Sequence, residues 1–141
     1  MPLVFEEVHA ATDPKKVNEE WFVVANQTAS PVSTRGLAVI VSRPGKRGSV
    51  VGHIDPGFLL QPGEKILVYT GIPGKKALGE PPTRDGLRTY PLLQREVLLK
   101  GTGTTVRFVL NQVDVAKVTF DKASPTGMAP EKPEKAPEKT A

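Results

Sequence analysis

His9 and His53 are the only imidazoles in the chain. His53 stands two residues before Asp55, in Gly52-His53-Ile54-Asp55. On a strand that spacing puts both side chains on one face, where a His–Asp pair can serve as half of a metal site or as an oriented general base. No nucleophile or second ligand pair lies close in sequence, so a hydrogen bond at a turn is the simpler role. Glu6-Glu7 and Glu19-Glu20 pair carboxylates, but strand neighbours point to opposite faces and neither pair makes a calcium site alone. Gly71-Ile72-Pro73-Gly74-Lys75-Lys76 holds a Gly-Lys step, yet it lacks the first Gly of the Walker spacing and the Ser/Thr after Lys. Pro73 also removes a backbone donor from any phosphate cradle. The chain has no Cys, which excludes thiol nucleophiles, disulfides, Cys-ligated zinc and iron–sulfur clusters together. No catalytic constellation emerges; neither an enzyme nor a bound cofactor or metal is expected.

Charge is more informative than any motif. The formal net charge is +4, and it divides unevenly. Residues 1–42 carry three basic and five acidic side chains, residues 43–100 ten and five, and residues 101–141 six and five. The excess in the middle third falls mostly in Gly/Pro-rich segments, and Arg95 and Lys100 share in it. Basic loops there form the candidate recognition surface: Arg43, Lys46 and Arg47 in one loop, Lys75, Lys76, Arg84 and Arg88 in another. Such loops suit an acidic partner or a polyanion. Tyr69 and Tyr90 are the only aromatics near them, a sparse set for stacking bases.

The elements that must position these loops read as short strands. Pro and Gly together make 27 of 141 residues, about 19% against an average near 12%. Apolar or alternating runs occur at Leu3–His9, Trp21–Ala25, Leu37–Ser42, Val50–Ile54, Phe58–Leu60, Lys65–Thr70, Glu96–Lys100, Thr104–Leu110 and Val113–Phe120, each bounded by turn residues. Gly101-Thr102-Gly103 reads as a hairpin turn between the seventh and eighth of these. Gln61-Pro62-Gly63-Glu64 fits a type II turn, with Pro and Gly at its centre. Only Leu92–Leu99 has a helical flavour, and residues 71–91 read as an irregular loop or edge excursion. Trp21, the sole Trp, is expected to anchor the core. From Ala123 to Ala141 there is no aromatic and no Val, Ile or Leu, and Pro-Glu-Lys recurs three times. That segment is expected to be a disordered tail. The organisation is therefore an all-β sandwich over residues 1–122 and a tail over 123–141.

Four segments in order resemble the lamin tail domain, an immunoglobulin-like β-sandwich found in nuclear lamins and in many bacterial proteins. Asn18-Glu19-Glu20-Trp21-Phe22-Val23-Val24-Ala25-Asn26 is similar to its N-E-x-W/Y-V-x-I-x-N strand. Pro31-Val32 with Gly36-Leu37 resembles P-V-D-L-S-G-W, and Phe58 to Val68 resembles a strand, Pro-Gly-Glu turn and strand in succession. Val97 to Gly103, then Val106, resembles the closing hairpin. Leu93-Gln94-Arg95-Glu96 replaces the polar N-x-G-D that usually precedes that hairpin. The resemblance implies an immunoglobulin-like sandwich with a binding or structural role.

The expected function is thus a non-enzymatic module for protein–protein or scaffold interactions through its basic loops. The alternatives are a polyanion- or nucleic-acid-binding domain and, further off, a small hydrolase using His53 and Asp55. The expected partners are another protein or a second copy of the chain, joined at an open sheet edge, with weak polyanion contact. No run approaches the ~20 apolar residues of a membrane span. The first residues do not read as a signal peptide, so a cytoplasmic location is expected.

Overall fold

Strand β2 (Trp21–Asn26) is a continuous apolar run, a pattern that suits a strand covered on both faces. The computed structural model, which describes residues 1–54, 57–84 and 86–130, shows how that cover is supplied. One face of β2 looks into a sandwich of two four-stranded sheets. The other lies under the excursion over residues 71–87, which brings Leu87 onto it.

The remaining strands are β1 (Leu3–His9), β3 (Val32–Ser33), β4 (Leu37–Ser42), β5 (Ser49–Ile54), β6 (Leu59–Leu60), β7 (Lys65–Tyr69), β8 (Arg88–Pro91), β9 (Thr105–Leu110) and β10 (Val113–Thr119). They form sheets ordered β1-β2-β7-β8 and β10-β9-β4-β5, with β3 and β6 as a two-residue ribbon. All pairs are antiparallel except β7–β8. The chain is an all-β, immunoglobulin-like sandwich. Inward side chains of both sheets meet in one core that includes Phe22, Val24 and Ile66 from one sheet and Val39, Val106 and Phe108 from the other. Phe5 bridges the layers, edge-on to Phe22 at 6.0 Å and to Phe108 at 5.0 Å between centroids, the geometry aromatic quadrupoles favour.

Alternation along β2 decides the fate of Trp21. Phe22 is buried in the main core, so its neighbour must point outward. Trp21 is half-buried on the outer face beside Val23, Leu67, Tyr69 and Leu87, stacked on the His9 ring at 4.8 Å and covered by the Arg84 guanidinium at 4.9 Å. The core anchor is Phe22, not Trp21.

Two turns expected from sequence behave differently. Gly63 has φ +85°, and Glu64 N–H donates to Gln61 O at 2.9 Å, as a type II turn requires. Gly101-Thr102-Gly103 joins no two strands, because Glu96–Lys100 is not a strand; Thr104 N–H closes a tight turn onto Gly101 O that only leads into β9. The hairpin lies further on. Asn111 and Gln112, both at positive φ, turn β9 into β10, which fits the two-residue loop favoured by right-handed strand twist. Segment 92–99 is neither helix nor strand. It is a strap along the edge of the sandwich.

Residues 123–130 do not leave the sandwich at Ala123. Thr126 O accepts from Val8 N–H, Ala129 N–H donates to Thr119 O, and Met128 bridges to Phe120. Gly127 makes this close pass possible, since a Cβ there would collide with Val8 O. The Pro-Glu-Lys repeats from 131 onward lie outside the described residues. Among the described residues, no helix is long and apolar enough to cross a membrane.

Each open strand edge carries a device against further pairing. Carbonyls of β5 are capped by side chains, Val51 O by Gln94 Nε2 at 2.6 Å and His53 O by the Tyr90 hydroxyl at 3.3 Å. Strands β1 and β10 each carry a register break and are flanked by residues 126–129. Strand β8 ends at Pro91.

Candidate functional site

Three buried polar side chains around β2 determine where the loops lie. Asn18, Glu20 and Asn26 are all fully buried, so each must be satisfied internally. Asn26 Nδ2 donates to Ser30 O and Leu60 O, while its Oδ1 accepts from the Thr28 amide and hydroxyl. Asn18 Nδ2 reaches Ile72 O and Gly79 O, and its Oδ1 accepts Ile72 N–H at 2.6 Å. Asn18 therefore shapes the turn bearing Lys75 and Lys76. Glu20 grips the strap: Oε1 accepts the Thr70 hydroxyl at 2.5 Å and Leu98 N–H at 2.8 Å, and Oε2 accepts Leu99 N–H at 3.0 Å. Burial pushes the Glu20 carboxyl above its ordinary value, although these three donors pull the other way. The motif that carried the family resemblance is, in this chain, a set of loop anchors.

The structure divides the seven basic residues into three places. Arg84 pairs with Glu7 Oε1 at 2.9 Å and lies over Trp21. Arg88 lies over Phe58 at 4.6 Å, 3.7 Å from Glu64 Oε1, and donates to Leu59 O. Both are engaged in ion pairs and ring contacts around the first sheet. Lys75 and Lys76 are exposed on the turn shaped by Asn18. Arg43, Lys46 and Arg47 sit on the exposed tip of the β4–β5 hairpin, where Gly45 at φ +72° allows Lys46 N–H to bond back to Arg43 O.

The hairpin tip does not stand alone. The strap leaves β8 with Leu92 N–H on Tyr69 O, Leu93 N–H on Gly71 O and Gln94 N–H on Thr70 O. It then crosses to β5 through the Gln94 side chain and returns to Glu20. An open groove of about 720 Å³ runs between hairpin and strap. Five cations border it: Arg43, Lys46 and Arg47 from one wall, Arg95 and Lys100 from the other. Among the described residues Glu96 is the one acidic group in the lining, and it pairs with Lys100 at 3.2 Å. Among the described residues no ion pair engages the other four. The floor and lips are apolar, with Val41, Val51, Val97 and Leu93.

Lys75, Lys76, Arg84 and Arg88 do not line this groove. Arg95, Lys100 and Leu93 do, and sequence reasoning did not gather them into a site. Their charges were visible in the middle-third excess, but their position depends on Glu20, far away in the chain. His53 is exposed on β5, with its carbonyl capped by Tyr90; Asp55 lies outside the described residues. No protein-family model matches the chain, and no curated protein matches it.

Proposed function

We propose that the chain is a non-enzymatic binding module of lamin-tail-like type, in which the sandwich is the scaffold and the hairpin–strap groove receives an acidic protein partner. One observation carries this reading: five exposed cations from two distant segments converge on one groove that, among the described residues, contains a single counter-charge. Like charges repel, so gathering them destabilises the free module slightly. An anionic partner reverses that cost. The resemblance of residues 18 to about 120 to a domain with binding and structural roles supports the same reading.

The test is reversal of the hairpin charges, Arg43→Glu with Arg47→Glu, followed by measurement of binding to an acidic polypeptide such as poly-glutamate. The paired change Lys75→Glu with Lys76→Glu, outside the groove, is the control. Lost binding in the first variant and retained binding in the second is the expected result. Equal loss in both, or no binding by the parent at low salt, refutes the groove as the recognition surface.

A further inference from the structure

We infer that the groove selects an extended acidic segment with apolar side chains interspersed, and not a uniformly charged polyanion; this rests on the binding-module reading above. Leu93 carries the inference. Its φ is +59°, a left-handed conformation that a bulky side chain adopts only with strain. It is nevertheless 60% exposed, so no core packing repays it. Leu93 stands at the groove's edge beside the cationic rim, where Val41, Val51 and Val97 continue the apolar surface inward. An Asn or Gly would hold that backbone more easily. A Leu kept there gives the groove an apolar contact that the fold itself does not use.

The rim and the lip together define the ligand. Four cations with no ion pair among the described residues, spread over two walls, suit several anions spaced along a chain, not one phosphate. Apolar positions between them suit side chains such as Val or Leu lying among the carboxylates. A nucleic acid fits less well. No aromatic ring lines the groove for base stacking, and an aliphatic lip offers a phosphate backbone nothing. Strand addition to β5 is also disfavoured, because Gln94 and Tyr90 occupy its carbonyls. Recognition therefore proceeds through side chains in the groove.

The experiment measures fluorescence anisotropy of the whole chain with three labelled probes of equal length: a peptide alternating Glu and Val, one alternating Glu and Ser, and oligothymidine. The Glu–Val peptide is expected to bind about tenfold more tightly than Glu–Ser, the effect of burying a few methyl groups. Both peptides should weaken as salt rises. Leu93→Asn, which suits the backbone and removes only the apolar lip, is expected to bring the two peptides level while leaving the thermal midpoint unchanged or higher. Equal affinities for the two peptides in the parent would overturn the inference and leave the basic-groove reading standing. Tighter binding of oligothymidine than of either peptide would overturn the choice of partner as well. If no probe binds, the binding-module reading fails with it.

Discussion

Replacing Glu20 by Gln tests the grip on the strap with almost no change of shape. The carboxylate presents two acceptor oxygens to three donors: the Thr70 hydroxyl, Leu98 N–H and Leu99 N–H. The amide presents one oxygen and one NH2 group. With the oxygen placed to serve Thr70 and Leu98, the NH2 faces Leu99 N–H, leaving a buried donor against a donor. Losing one hydrogen bond and orphaning its partner costs about 2 kcal/mol, or roughly 8 °C in the thermal midpoint of a domain this size. The pH dependence is the sharper signature. Burial raises the Glu20 carboxyl above its ordinary value of 4.5, so the folded state holds this proton more tightly than the unfolded state does. Its contribution to stability is fully present below about pH 4.5 and is lost as pH rises through the folded value. Gln carries no such dependence. The gap between parent and Glu20→Gln should therefore be widest at acidic pH and narrow towards neutrality, read as paired thermal midpoints from pH 4 to 8. Other titrating groups are common to both proteins and cancel. A gap that stays constant or widens with pH would refute the reasoning about burial. No gap at any pH would refute the grip itself.

Gly63→Val forces a β-branched residue to φ +85° and should cost about 1–3 kcal/mol; an unchanged thermal midpoint would sink the turn assignment. Gly71→Ala puts a methyl group onto Asn18 Oδ1 and within 2.9 Å of its Cα. It should destabilise by about 2–3 kcal/mol and speed amide exchange at Ile72, whose N–H rests on that oxygen. Lys65→Met removes the hydrogen bond that, with help from Gln27, holds the Glu6 carboxyl below its ordinary value. A depressed folded value gives stability that is present above about pH 4.5 and lost as pH falls through the folded value. The loss on mutation should thus stay under about 1 kcal/mol at neutral pH, as for other exposed pairs, and vanish in acid; a loss that persists at low pH would disprove it.

Strands whose information is local were legible in the sequence. Leu3–His9 and Leu37–Ser42 have the bounds their composition suggests, and Ala116, Val118 and Phe120 share a buried face as their alternation requires. The Pro62–Gly63 turn was legible for the same reason. What could not be read was anything settled by distant partners. Glu96–Lys100 has the composition of a strand, yet its amides go to a carboxylate on the far side of the chain. Trp21 has the size of a core anchor, but one position of alternation gives that place to Phe22. The groove belongs to this second class. Two of its five cations lie on a strap whose course is fixed by Glu20 and Gln94, and Leu93-Gln94-Arg95-Glu96 is also where the sequence departs from the family it resembles.

The Glu20 grip joins residues 78 and 79 positions apart, whereas the opposite wall of the groove is a hairpin turned within six residues. These walls arise on different timescales. A hairpin forms in about 1–10 μs, while a sandwich that depends on long-range pairing folds in milliseconds to seconds. The hairpin wall carrying Arg43, Lys46 and Arg47 therefore needs only local contacts, whereas the strap wall needs a carboxylate brought from far along the chain. The second wall is complete only when Leu98 and Leu99 reach that carboxylate.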